Sequence, residues 1–313
     1  MLSPTLDPSM HESTSIRVNT RVADRDCKYY IFDWDNNILH MPTRIHLEKR
    51  LPDDSWTPIL VTTSVFSMIR GDTRNYRPPH GNWTEAFVEF QDYTNETENH
   101  FLRDAQAAIT GLIRGTEQPA PSFQTFRRTL VEGRLFAIVT ARGHAAETLR
   151  KGVRLFVDLV LTPAERAEML ANLRGYRACF DHATTFGTDE AELEYYLGLN
   201  HYHAVTSPKF DAMLPRTTAG AESSEQRKQV AIRAFVEHVV RLLARTQDEH
   251  QRHSISVGFS DDDPANIKAV EEYIQTELGP DFPGVRFVVY DTSDRTLAKG
   301  RKNVVSGQMD LGL

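Results

Sequence analysis

Apolar residues gather in five short runs: Tyr29–Phe32 (YYIF), Leu135–Val139 (LFAIV), Tyr202–Val205 (YHAV), Ser254–Phe259 (SISVGF) and Val285–Tyr290 (VRFVVY). Most lack the polar alternation of a strand with one wet face, so they read as strands covered on both sides, as in a parallel sheet. Amphipathic helical patterns lie between them. Val230–Leu243 follows Ser223-x-x-Gln226, whose spacing fits a capping box. Thr162-Pro163-Ala164-Glu165 combines an N-cap, a proline at the first helical position and a glutamate three residues after the cap. Asp263-Pro264 opens a helix through Ile267, Val270 and Tyr273, and Phe123–Val131 leads into the second run. This alternation predicts an α/β fold: a Rossmann-like open parallel sheet with helices on both faces and right-handed crossovers.

The rhythm breaks between the first two runs. About a hundred residues separate them, far more than a crossover needs. The interval is rich in Thr, Asn, Pro and aromatic residues. Residues 41–121 are therefore expected to form an inserted module that returns at Gln118-Pro119-Ala120-Pro121-Ser122. The core is then expected over 22–40 and 122–313. Residues 1–21 are polar, with Pro4 and Pro8 and no apolar segment, and read as a disordered leader rather than a signal peptide.

Composition changes this picture little. The chain has 313 residues, 40% of them hydrophobic and 25% charged, as in ordinary globular proteins. A net charge of −7 without a dense basic block argues against nucleic acid or an anionic membrane as the main partner. Cys27 and Cys179 read as buried thiols rather than a disulfide framework, and no apolar stretch approaches a membrane span. The expected compartment is the cytoplasm, which makes the sequons at Asn82 and Asn95 irrelevant.

Candidate chemistry lies just past the strand-like runs, because ligands of open α/β sheets sit at the carboxyl ends of strands. The first run ends in Asp33-Trp34-Asp35-Asn36-Asn37. Two carboxylates at i and i+2 leave a strand end on the same side. At an effective dielectric of about 20 and a separation of about 4 Å, such a pair costs about 4 kcal/mol, which a hard divalent cation relieves. A solvated turn is the plainer alternative. The second run ends in Thr140-Ala141-Arg142-Gly143-His144, a hydroxyl and backbone amides suited to an anion, or simply a helix cap. The fourth ends in Ser260-Asp261-Asp262-Asp263-Pro264-Ala265-Asn266, where Asp263 suits an N-cap and Asp261 and Asp262 supply a second acidic strand end. Past the third run stands Lys209, an ordinary surface charge unless the strand end carries it into the same crevice.

This ordered set resembles the haloacid dehalogenase (HAD) superfamily over residues 27–40 and 122–313. The resemblance implies a Mg²⁺-dependent phosphatase working through an aspartyl phosphate. Asp33 would be the nucleophile and Asp35 the general acid/base. Thr140 and Lys209, with the Trp34 and Ala141 amides, would hold the phosphoryl oxygens. Asp33, Asp35 and Asp262 would form the metal site, with Asp261 as the alternative ligand; Asp262 is preferred because it stands four before Asn266. An aspartate at position 35 goes with phosphatases and phosphotransferases of that superfamily, since an alcohol leaving group needs a proton and the attacking water must lose one. Asn36 and Asn37 depart from the usual Gly and Thr, although Asn tolerates the left-handed conformation.

The same resemblance makes 41–121 a cap module. Arg70, Arg74, Tyr76, Arg77, His80, Trp83 and Phe87 within it suit either a phosphorylated or aromatic substrate or the module's own small core. Arg142 and His144 stand beside Thr140, where an exposed helix start explains them equally well. His201 and His203 read as strand residues rather than metal ligands. The expected partner is a phosphorylated small molecule. A phosphotransferase, or a non-catalytic binding module on the same fold, remains as the alternative.

Overall fold

The computed structural model describes residues 27–92, 100–180, 186–214, 223–244, 255–294, 297 and 300–306. The leader at 1–21, Asn95 and Ser254 lie outside them. The strands are β1 (Cys27–Phe32), β2 (Ile45–Arg50), β3 (Trp56–Val61), β4 (Tyr76–Arg77), β5 (Phe136–Thr140), β6 (His201–Ala204), β7 (Ile255–Asp261), β8 (Val285–Asp291) and β9 (Arg301–Ser306). The helices are α1 (Thr63–Ile69), α2 (Trp83–Ala86), α3 (His100–Ile113), α4 (Phe123–Val131), α5 (Ala146–Val160), α6 (Pro163–Phe180), α7 (Asp189–Leu199), α8 (Pro208–Asp211), α9 (Ser224–Ala244) and α10 (Pro264–Tyr273).

Each of the five apolar runs is a strand of one sheet, ordered β6-β5-β1-β7-β8-β9. Pairing is parallel from β6 through β8, and β9 closes the edge antiparallel to β8. The fold is therefore α/β with a mostly parallel sheet. Every residue of β5 is buried, as its unbroken apolar composition requires. α9 packs on β5 and α10, and α10 on β7 and β8. α3 packs on α5, and α4 on α6.

The helix-start signals act as read. Ser223 Oγ accepts from the Gln226 amide while Gln226 Oε1 accepts from the Ser223 amide. Thr162 and Glu165 exchange the same pair of bonds, and Asp263 caps α10 through the Ala265 amide.

The interval 41–121 is mixed. It holds a three-stranded antiparallel sheet, β3-β2-β4, with its own hydrophobic cluster of Ile45, Leu47, Val61, Ala86 and Phe90. α3, in the same interval, belongs elsewhere: Phe101, Ala105, Ala108, Ile109 and Leu112 are part of the main core. Gly152 of α5 makes this docking possible, because a Cβ there would overlap the Phe101 ring. No helix among the described residues is long and apolar enough to cross a membrane.

Candidate active site at the sheet's switch point

The chain leaves β1 toward β5 on one side of the sheet and leaves β7 toward β8 on the other. The crevice between β1 and β7 is thus a topological switch point, the place where open α/β sheets bind ligands. The register pairs Phe32 with Ser260, so Asp33 and Asp261 leave adjacent strands side by side. The Asp33 amide donates to the Ser260 carbonyl at 3.0 Å, extending the pairing into the loop.

Asn37 fastens that loop. Its side-chain amide donates to the carbonyls of Asp33 (3.0 Å) and Ser260 (3.1 Å) and to Ser260 Oγ (2.9 Å). Its carbonyl accepts from Ser122 Oγ and Thr292 Oγ1. A fully buried amide with all these bonds ties three segments under the acidic loop. Asn36 has φ +54°, the left-handed conformation anticipated from its residue type, and donates to Thr63 Oγ1 of α1 at 2.8 Å.

One carboxylate oxygen from each of Asp33, Asp261 and Asp262 lies within 4.8 Å of the others, a donor set able to hold a cation. Among them sits Lys228 of α9, fully buried, with Nζ 3.0 Å from Asp33 Oδ1 and 2.6 Å from Asp261 Oδ2. Burial opposes the ammonium, but the Asp261 and Asp33 carboxylates outweigh it and hold the Lys228 pKa above its usual range. Burial also drives the Asp33 carboxyl well above the ordinary carboxylate range; Lys228 opposes this, while Asp261, Asp262 and Asp35 add to it. For Asp262, burial and the neighbouring Asp261 push the pKa up to about 7. Asn266 donates to both oxygens of Asp261, and its own buried Oδ1 has no hydrogen-bond partner.

Asp35 is engaged differently. Arg142 Nε donates to Asp35 Oδ2 at 2.7 Å and Arg142 Nη2 to Oδ1 at 2.6 Å, a bidentate pair. Arg142 is 1% exposed and reaches Thr43 Oγ1 at 2.8 Å, and Thr43 in turn donates to Asp104. Its guanidinium lies 4.6 Å from the Phe90 ring centroid and 5.2 Å from that of Phe101. Of the two readings of Arg142 and His144, the exposed helix start does not hold, because both are buried. α5 begins only at Ala146, and two of the intervening amides are already used: Gly143 donates to the Phe90 carbonyl and Ala145 to Asp92. The buried His144 imidazole is unpartnered at both nitrogens, and burial with the Arg142 charge lowers its pKa to about 3.

A cavity of about 440 Å³ opens between the strand ends and the small antiparallel sheet. Asp33, Asp35, Thr140, Ala141, Lys228, Asp261 and Asp262 all line it. Two expected members do not. Trp34, expected to contribute its amide, is not among the lining residues, and its indole packs in the core against Phe101 and Phe126. Lys209 is exposed on α8, which is capped by Ser207, and is absent from the cavity wall. The lysine of the crevice is Lys228, three and four residues before the buried Ala231 and Ile232 on one face of α9. That spacing was the available signal: a lysine on the apolar stripe of an amphipathic helix. Asp35 also stands outside the acidic cluster, and the guanidinium engages both its oxygens. Asp261, the alternative ligand under the resemblance, joins the cluster together with Asp262.

The His201 and His203 side chains lie on β6, 3.3 Å apart, and burial lowers their pKa values to about 3 and about 4. They belong to no metal-binding cluster among the described residues. Comparison with family models, curated proteins and solved structures finds no match for this chain.

Proposed function

We propose that this protein is a Mg²⁺-dependent phosphatase of the HAD type that hydrolyses a phosphomonoester through an aspartyl phosphate at Asp33. The observation that carries the reading is the convergence of Asp33, Asp261 and Asp262 around buried Lys228 at the β1/β7 switch point, with Thr140 on the same wall.

The donor set fits a hard divalent cation. Three carboxylates against one ammonium leave an excess of negative charge, and oxygen ligands are what Mg²⁺ takes. Asp33, Asp261 and Asp262 would hold the ion. When bound, it supplies positive charge that favours the ionised carboxylates and offsets charge on the phosphoryl oxygens.

In the proposed reaction an Asp33 carboxylate oxygen attacks phosphorus in line, and the bond from phosphorus to the leaving oxygen breaks. Asp35, having released one Arg142 bond and taken up a proton from solvent as the substrate enters, gives that proton to the leaving oxygen. Water then attacks the aspartyl phosphate and returns a proton to Asp35, and inorganic phosphate leaves as Asp33 is restored. Lys228 and the Thr140 hydroxyl stabilise the phosphoryl oxygens. The small antiparallel sheet acts as the cap: α1 and α2 face the crevice, and the bond from Asn36 to Thr63 ties the catalytic loop to it.

Asp33→Asn is expected to lower Mg²⁺-dependent turnover of a generic phosphomonoester on the order of 10⁴-fold or more. Steady-state rates measured on the folded variant test this, and turnover near that of the wild type rules out Asp33 as nucleophile.

Magnesium binding should depend on pH. With the Asp262 pKa near 7, the carboxyl is protonated below that pH and must release its proton when the ion binds. Affinity is expected to fall about tenfold from pH 8 to pH 6. Calorimetric titration at both values measures it, and equal affinities would remove Asp262 from the ligand set.

One observation favours a second reading, a module that binds a phosphoryl group without turning it over: both oxygens of Asp35 are occupied by Arg142. Under that reading beryllofluoride binds at Asp33, yet no phosphomonoester is hydrolysed with or without Mg²⁺.

A further inference from the structure

We infer that the ester taken by this site is a small-molecule monophosphate whose leaving group carries a planar aromatic ring stacked on Trp83; this rests on the phosphatase reading above. The cavity has two chemically distinct ends. One end is the acidic strand ends with Lys228 and Thr140. The other is aromatic, formed by Phe66, Trp83, Phe87 and Phe90 of the small sheet's module. At about 440 Å³ the cavity falls in the range of small-molecule sites.

The aromatic end is built from interlocked rings. Trp83 stacks on Phe87 with centroids 5.9 Å apart and planes 27° from parallel, and Phe66 meets both rings edge-on at 6.0 and 5.4 Å. Phe87 in turn meets Phe90 edge-on at 5.7 Å. These contacts hold the indole in place, yet Trp83 remains 49% exposed. A rigid, half-exposed indole in a cavity wall is a stacking platform for a flat ring, at little cost in side-chain entropy.

The remaining lining limits the ligand's charge. Thr63, Ser64, Ser67, Thr84 and Gln91 contribute neutral hydroxyl and amide groups. Two cationic residues of the described wall are buried and held by carboxylates, Lys228 by Asp33 and Asp261 and Arg142 by Asp35; Arg70, 42% exposed, meets Asp263 at 3.4 Å. A second phosphate would have to draw Arg70 away from Asp263, whereas hydroxyls next to a ring would meet matching partners. Nucleoside monophosphates and aryl phosphates share this chemistry.

The test compares kcat/KM for adenosine 5′-monophosphate, 4-nitrophenyl phosphate, glycerol 3-phosphate and adenosine 5′-diphosphate in wild type, Trp83→Ala and Trp83→Phe, all with Mg²⁺. Wild type is expected to favour the two ring-bearing monophosphates over glycerol phosphate and over the diphosphate. Trp83→Ala should lower the ratio of kcat/KM for adenosine monophosphate to that for glycerol phosphate about tenfold, chiefly through KM, and Trp83→Phe should restore most of it. The preference between nucleotide and nitrophenyl ester separates the two sources of the ring. Turnover with no ring preference, or a ratio unchanged in Trp83→Ala, overturns the substrate class while leaving the phosphatase reading intact. Turnover of none of the esters overturns both.

Discussion

Lys228→Met is expected to destabilise the metal-free protein by about 3–5 kcal/mol, because it leaves the buried carboxylates of Asp33 and Asp261 facing each other without their shared ammonium. Turnover should fall about 10²–10³-fold, the usual consequence of removing one preorganised charge from the transition state. Urea unfolding measures the first effect, and steady-state rates at saturating Mg²⁺ measure the second. Lys209→Met is the matched control. An exposed lysine on α8, outside the cavity, should change stability by no more than about 0.5 kcal/mol and leave turnover unaltered. The reverse pattern, with Lys209 essential and Lys228 dispensable, would show that α9 does not supply the crevice with its cation.

The second large effect concerns Arg142. Arg142→Met strips Asp35 of a bidentate partner in a site where the arginine is 1% exposed, and it also removes the contacts to Thr43, Phe90 and Phe101. The loss is expected at about 3–5 kcal/mol, most of it the cost of a buried carboxylate left unpaired. That origin can be checked with a double-mutant cycle. Asp35→Leu in the Arg142→Met background removes the stranded charge and should recover a large part of the stability, giving a coupling energy of about 2–3 kcal/mol. Additive losses would mean that Arg142 stabilises through its packing on the two phenylalanines instead. The double variant should remain inactive, because Asp35 is the proposed proton carrier.

Local signals were readable wherever the chain obeys them locally. All five apolar runs became strands because a segment buried on both faces has no polar alternation. The boxes at Ser223 and Thr162 worked because a cap needs only its own four residues. Asp33, Thr140 and Asp261 lie at carboxyl ends of strands, so the end of each apolar run points to them. The errors share one cause: each concerned which of several polar groups a distant element brings into the crevice. Lys209 closely follows a strand-like run and Lys228 does not, yet Lys228 lies on the apolar stripe of the long α9, whose packing on β5 carries it to the crevice. An exposed helix start explained Arg142 and His144 as well as a place at the site did, because nothing nearby in the chain announces that Thr43, Phe90 and α3 will cover them.

By itself, then, the sequence determined a parallel α/β sheet, its helix starts and an acidic loop at the end of β1, since periodicity and capping are short-range. It also marked the left-handed turn at Asn36, where residue type alone relaxes the steric limit. Only the tertiary structure decided how those charges pair. It set Lys228 between Asp33 and Asp261, and Arg142 onto Asp35. It placed Asn37 beneath the loop as a bond to Ser122, Ser260 and Thr292. In a buried crevice each charge requires a partner, and that partner stands 195 residues away for Asp33 and 107 for Asp35. Such distances are closed by packing, which no local pattern encodes.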